Sequence, residues 1–369
     1  MFTKFNRTPL PLSLSYIWNF GSLIGFFFFC QIITGIFLSM FYICDLNTAF
    51  NSVLYIQREV NYGYILYPMH GIGASFVFIF VILHIGKALY YGSYSKFLVY
   101  INGMIGYIFF MLIAFLGYVL PWGQMSFWGV TVISSLFSVI PIFGSDLVIW
   151  LWGGFNVSGV TLSRFYSLHF LLPFILVVVI VIHIYFLHNA LSSNQLGLFV
   201  KPDMIYFNSY YGLKDIYGIL LILILFFYLV FYSPFYLYEV DNFIPANSLV
   251  TPLHIVPEWY FLFYYAILRC IPNKVGGVCV MALSILLLFV PPFLWINPFG
   301  INCFVFKIIS KCLFFLLTFN FVFLTYLGGQ SLTPFIISIS GISCLLHFLI
   351  ILVFIPLVSY YESKCIFYN

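Results

Sequence analysis

The sequence predicts an all-α integral membrane protein: an amino-terminal bundle of four spans, then four more. Three observations predict it, namely the composition, eight long apolar runs, and histidine pairs repeated at one interval inside those runs. Of 369 residues, 64% are hydrophobic and only 6% charged, with a mean hydropathy of +1.13; a soluble domain carries about 25% charged residues. Most of the chain therefore belongs in lipid. A net charge of +4 gives no reason to expect nucleic acid. The eight cysteines form no C-x-x-C pair and no C-x-x-C-H haem attachment, so they read as free thiols packed as small apolar residues. The 48 Phe and 29 Tyr exceed what lipid alone requires; with Ile and Asn they point to an AT-rich genome of the organellar kind. The polar start, with Lys4 and Arg7, and a full-length first apolar run argue against a cleavable signal.

A spanning helix needs roughly 20 mostly apolar residues. The first four runs cover 19–43, 64–90, 100–120 and 165–188, and the last four 216–234, 276–296, 305–326 and 334–358. The expected division is a bundle at 1–195 and a carboxy-terminal part at 196–369. Connections 121–164 and 235–275 are long. Eight spans put both termini on one side. That side collects Lys4, Arg7, Lys87, Lys96, Lys201, Lys214, Lys307, Lys311 and Lys364, nine in all; the other has four, Arg58, Arg164, Arg269 and Lys274. The bias places the termini on the cytoplasmic or matrix side, with both long connections outside.

His70 and His84 are fourteen residues apart in the second span, as are His169 and His183 in the fourth. Fourteen residues return a helix to within about 40° of the same face, about 21 Å further along its axis. The two spans run parallel, so His70 is level with His169 near the outer surface and His84 with His183 near the inner one. Ionisable groups in a span are costly and mark function; one histidine alone reads better as a hydrogen-bonded core residue. Two matched pairs suit two haem irons, each with two axial imidazoles. Gly21 and Gly35 in the first span, and Gly103 and Gly117 in the third, repeat the interval. Each glycine pair alone reads as close helix packing; at the shared interval they read as clearance for the edge of a porphyrin.

In WNFGSLIG from Trp18, QIITGIFL from Gln31, GYVLPWGQMSFWG from Gly117, TLSRFYSLHFLLPF from Thr161, KDIYG from Lys214, PEWYFLFYYAILRCIPNK from Pro257 and GGQSLTPF from Gly328, in this order around the four histidines, the chain resembles the cytochrome b family, the mitochondrial-type haem subunit of ubiquinol–cytochrome c reductase. PEWY alone is a weak match; with the histidine pairs it is specific. The resemblance implies two non-covalent b haems, an outer low-potential one on His70 and His169 and an inner high-potential one on His84 and His183. It implies quinol oxidation at an outer pocket and quinone reduction at an inner one, coupled to proton translocation (a Q cycle), with ubiquinol and ubiquinone as substrates. The implied partners are a Rieske iron–sulfur protein, cytochrome c1, the other complex III subunits, a second copy of the complex, and membrane lipid. The implied location is the mitochondrial inner membrane, termini in the matrix.

By the same resemblance Glu258 of PEWY accepts a proton from quinol, with Tyr260 and the Gly123–Gly129 segment lining the slot. On sequence alone Glu258 is as well read as the cap of a helix starting near Trp259. At the inner pocket the resemblance assigns His188 and Asp215 to the quinone head, Lys214 to proton supply and Ser192 to a lesser contact; the residues alone also read as polar helix ends. His254 reads as a loop residue and His347 as a satisfied core residue. Two positions depart from the family pattern. Tyr67 stands three residues before His70, where many members have an Arg facing a haem carboxylate, and Lys87 replaces an Arg at the inner end, keeping charge but losing the planar fork. Arg164 is the candidate to compensate at the outer haem. A secondary transporter would also have about eight spans, but gives no reason for the shared interval; other haem-bearing membrane subunits lack PEWY in a long outer connection.

Overall fold

The computed structural model describes residues 8–197 and 203–368; Lys4, Arg7 and Lys201 lie outside them. The long helices are α1 (Phe20–Ser39), α3 (Gly63–Tyr90), α4 (Phe97–Val119), α7 (Gly159–Ala190), α8 (Phe207–Tyr232) and α12 (Ile308–Gly328). Helix α2 (Ala49–Arg58) precedes α3, while α5 (Gln124–Ser135) and α6 (Gly144–Trp152) fold the first long connection. The last span is α13 (Pro334–Leu349), which passes through a π-turn at Ile350–Phe354 into α14 (Ile355–Tyr368). Seven helical stretches among the described residues are long and apolar enough to cross a membrane.

The expected sixth span differs. After the short α9 (Leu262–Arg269), residues 276–296 are not one helix but α10 (Lys274–Leu286), a 3-10 turn at Leu287–Phe289 and the short α11 (Pro291–Leu294). The reason is Pro291–Pro292: neither residue has an N–H to continue the helical ladder, and proline is accommodated in a helix's first turn. Asn273 caps α10 by accepting from the Gly276 N–H at 3.0 Å, and Ser158 and Thr161 form a reciprocal capping box at the start of α7.

Helix α1 packs along α3, and α4 along α7, making the four-helix bundle. Its centre is aromatic: Phe27 meets Phe76 and Phe226 edge-on or tilted at 5.0 and 5.3 Å, and Phe28 meets Phe110 at 5.3 Å. Phe226 belongs to α8, so the second half packs directly on the bundle. Strands β1 (Pro9–Pro11) and β2 (Met204–Tyr206) also join the halves, antiparallel with Leu10 opposite Ile205. The two long connections meet each other. The Gln124 N–H donates to the Ile244 carbonyl at 2.9 Å and the Ala246 N–H to the Trp122 carbonyl at 3.1 Å, while the buried Gln124 amide donates to Val250 and accepts from Asn247. This contact agrees with both connections lying on one side.

Candidate functional site

The histidines face one another as the interval predicts. The ring centres of His70 and His169 are 6.3 Å apart, and those of His84 and His183 are 6.4 Å apart. Imidazole–metal bonds of about 2.0–2.1 Å, plus about 1.2 Å from ring centre to nitrogen on each side, give roughly 6.4 Å across one metal ion. The outer pair is also oriented for ligation. His169 Nδ1–H donates to the Ile113 carbonyl at 2.8 Å. Thr34 donates its hydroxyl hydrogen to the Cys30 carbonyl at 2.7 Å, so its oxygen accepts from His70 Nδ1–H at 2.8 Å. Both Nε2 atoms are then unprotonated, the arrangement a metal-ligating imidazole takes. These residues fit a bis-imidazole haem.

Each ruler glycine also stands against a histidine ring. A Cβ at Gly117 would stand 2.4 Å from His169 Cε1, at Gly35 3.1 Å from His70 Cε1, at Gly103 3.1 Å from His183 Cε1, and at Gly21 3.5 Å from His84 Cε1. The vacated space is taken by the histidine ring itself, one glycine to each ring. Helices α1 and α4 thus bring their backbones against the imidazoles of α3 and α7.

A cavity of about 250 Å³ opens between the outer histidines and the outer connections. His70, His169, Gly35 and Gly117 line it, as do Tyr67, Tyr118, Tyr238, Glu258 and Tyr260. Tyr260 stacks flat on Phe78 of α3, centres 4.0 Å apart and planes 4° apart. Trp259 donates its indole N–H to Ser75 at 3.1 Å. These contacts anchor PEWY to the bundle. Glu258 precedes the 3-10 turn Trp259–Phe261 but its side chain makes no capping hydrogen bond, so the capping reading fails. Burial, and then the charge of Glu239, push its carboxyl up to about 8. Of the Gly123–Gly129 segment, Gly123 presses against the Asn242 backbone, where a Cβ would overlap its carbonyl, and Ser126 donates through its N–H and hydroxyl to Asn242 Oδ1 at 2.9 and 3.0 Å. The segment therefore acts through Asn242, which lines the cavity.

A second cavity, about 480 Å³, lies at the inner level. His84, His183, Gly21, Gly103, Lys87, His188, Ser192 and Asp215 all line it. Asp215 accepts from the Ser22 hydroxyl at 2.9 Å. His188 Nδ1 lies 3.1 Å from the Thr8 hydroxyl, and Lys87 stands over the Trp18 ring at 4.4 Å. Two expected residues lie elsewhere. Lys214 donates to the Leu14 carbonyl at 2.5 Å and covers the Tyr16 ring at 4.7 Å, behind the wall rather than on it. Arg164 donates to the Trp150 and Leu151 carbonyls at the end of α6 and is not among the residues lining the outer cavity. His347 packs on Phe263 at 5.0 Å, buried, as expected of a core residue, and His254 lies 3.5 Å from Arg269 in the outer connection.

Sequence reasoning missed Lys96, which lines the inner cavity and donates to the Leu191 carbonyl at 2.5 Å; burial pulls its ammonium down to about 8. It also missed Ser22, Thr34, Phe78 and Tyr238. Thr34 and Phe78 carried a usable signal, since Thr34 sits next to Gly35 and Phe78 about two helical turns after His70. Lys96 and Tyr238 carried none, being in connections.

The family described as cytochrome b/b6/petB matches residues 5–191, and that described as cytochrome b (C-terminal)/b6/petD matches residues 245–348. A chain of a solved "Hyperthermophilic respiratory Complex III" is 32% identical, with 98% of this chain and 96% of that chain covered and a TM-score of 0.92. With the first match covering residues 5–191 and the whole fold aligned at 32% identity, the chain belongs to the cytochrome b/b6 family.

Proposed function

We propose that this chain is the di-haem electron-transfer subunit of a quinol–cytochrome c reductase. One observation carries the reading: two imidazole pairs, at 6.3 and 6.4 Å, each open to its own cavity. His70 and His169 would hold the outer haem b, His84 and His183 the inner one. Bound haem supplies one-electron carriage, with potentials set by ligands and surroundings; the protein supplies spacing, orientation and proton handling. Oxidising a quinol releases two electrons and two protons. Glu258 receives one proton at the outer cavity, beside an apolar wall formed by Phe78 and Tyr260. A carboxyl held near 8 suits reversible proton transfer close to neutral pH. At the inner cavity His188 and Asp215 orient and protonate a quinone, Ser22 holds the Asp215 carboxylate in place, and Ser192 lines the approach. Lys214 acts behind this wall, holding the Leu14 carbonyl.

The chain has no cysteine framework for an iron–sulfur cluster or covalent haem, so one electron per quinol must leave through partners: a Rieske protein and a cytochrome c1 in our reading, within a dimeric complex with further subunits. The division at 195/196 separates the haem bundle from the part that brings Glu258. The termini face the negative side of an energy-transducing membrane. For the compartment, Phe- and Tyr-rich composition favours a mitochondrial inner membrane, whereas the hyperthermophilic relative favours a prokaryotic plasma membrane; ubiquinone is the substrate of the former reading. A reduced-minus-oxidised spectrum of the intact complex tests the whole proposal. Two b-type components are expected, and His70→Leu and His169→Leu should remove the same one. Absence of b-type absorbance overturns it.

A further inference from the structure

The two cavities differ in charge. Lys87 and Lys96 line the inner one. Among the described residues lining the outer one there is no Lys and no Arg. Its wall instead holds buried donors without a partner, the Tyr238 and Tyr118 hydroxyls and the Gln31 amide nitrogen. A buried polar group left unsatisfied is costly, and several around one cavity point to an acceptor that the protein is built to receive. Tyr238 is the most specific of them. It comes from the outer connection and lays its hydroxyl on Gly71, the residue after His70; a Cβ at Gly71 would overlap that oxygen. Tyr67, one turn earlier on α3, stacks on the Tyr238 ring at 5.8 Å and 30°. Glycine at 71 thus admits the hydroxyl to the level of the outer histidine pair, and Tyr67 fixes the ring that carries it.

A haem between His70 and His169 has two acidic side chains, which must turn from the apolar bundle centre toward the outer polar edge. Tyr238 lies on that edge. We propose that Tyr238, braced by Tyr67 and seated on Gly71, is a positioning residue that donates a neutral hydrogen bond to a carboxylate of the outer haem, so that this carboxylate is held without a cation while the inner haem meets two lysines. This rests on the haem reading above. A donor on the carboxylate draws off negative charge, and its removal makes an electron less welcome at the iron.

The test is a spectroscopic redox titration of the intact complex with both haems bound. In Tyr238→Phe, which keeps the ring and its stacking, the midpoint of the outer haem should fall while the inner one stays. Gly71→Ala keeps the hydroxyl but pushes it off its seat, and should move the same midpoint the same way. Tyr67→Arg should move it up. Both b-type signals intact with unmoved midpoints in Tyr238→Phe overturn the inference and leave the haem reading standing. An unmoved midpoint with a raised KM for quinol also overturns it, since the hydroxyl then serves the substrate. Loss of both signals in the unaltered complex sinks the haem reading itself.

Discussion

Gly117→Ala should cost the protein its outer haem while Gly21→Ala costs it nothing. The new methyl at 117 would stand 2.4 Å from His169 Cε1 and 2.9 Å from both ring nitrogens. Ordinary contact begins about 1 Å further out, so the ring, the methyl's helix, or both must give by about that much in a close-packed interior. The ring is tied by its 2.8 Å bond to the Ile113 carbonyl. A displacement of about 1 Å stretches that bond beyond hydrogen-bonding range, losing about 1 kcal/mol, and overpacking adds about 1–3 kcal/mol. Metal ligands tolerate errors of only about 0.2 Å, so the larger consequence is a misplaced Nε2. At Gly21 the same methyl meets His84 Cε1 at 3.5 Å, an ordinary contact. Gly35 and Gly103, at 3.1 Å each, should fall between.

The assay is haem content per chain with a reduced-minus-oxidised spectrum. Gly117→Ala should keep the inner component and lose most of the outer one; Gly35→Ala should weaken the outer, Gly103→Ala the inner; Gly21→Ala should be indistinguishable from the parent. Four equal losses would refute the reasoning, because they would mean that helix packing and not ring clearance sets the cost. A Gly117→Ala protein with both haems at unchanged potentials would refute it too.

Three further outcomes follow from the same geometry. Glu258→Gln should abolish the acid limb of outer-site quinol oxidation, which in the parent rises with pH through about 8 as the carboxyl becomes able to accept a proton; Glu239→Gln should move that limb to lower pH, because the Glu239 charge is the second cause of the shift. The same group gives a stability signature: its folded pKa is raised above the ordinary 4.5, so the folded protein is favoured fully below about 4.5 and loses that contribution as pH rises through about 8, and thermal melting of Glu258→Gln between pH 5 and 9 should be flatter than the parent's. Ser22→Ala removes the hydroxyl bound to Asp215 at 2.9 Å and should raise the KM for inner-site quinone reduction with both haem spectra unchanged; a purely structural role would show instead as lost haem or lower melting.

What the sequence made legible was whatever a long helix repeats. Fourteen residues bring a side chain back to nearly the same face, so the histidine ruler located four rings and the glycine ruler the four positions against them. The ruler could not say what fills each glycine's space. That depends on the distance between two backbones, and the imidazole found against each glycine is a tertiary fact. The same limit explains the charges. Lys214 was expected at the inner cavity from the family resemblance, and Arg164 at the outer one as the cation to compensate for Tyr67. Each is instead held by main-chain carbonyls, of Leu14 and of Trp150 and Leu151, which have no sequence signature. The broken sixth span was visible as Pro291–Pro292 but outvoted by hydropathy, which counts apolar residues and is blind to a missing N–H.

The parts that stayed illegible are also where the two cavities differ. Both have the same core: two rings of α3 and α7, each against a glycine of α1 or α4. Much of what makes one outer and one inner comes from the connections, although Lys87 is on α3 and Asp215 on α8. Tyr238 and Glu258 arrive from the 235–275 connection, Lys96 from the short link between α3 and α4, and Thr8 from just before β1. The outer cavity therefore has an acid that burial keeps near its proton-exchange point and donors without charge, and the inner one has two lysines beside the imidazole pair. Placing cations at one end only of an otherwise repeated scaffold makes the inner end the better place for an added electron. In the proposed reading, Lys87 and the groups that these connections bring set the direction of transfer, over a bundle whose histidine pairs have nearly the same geometry at both ends.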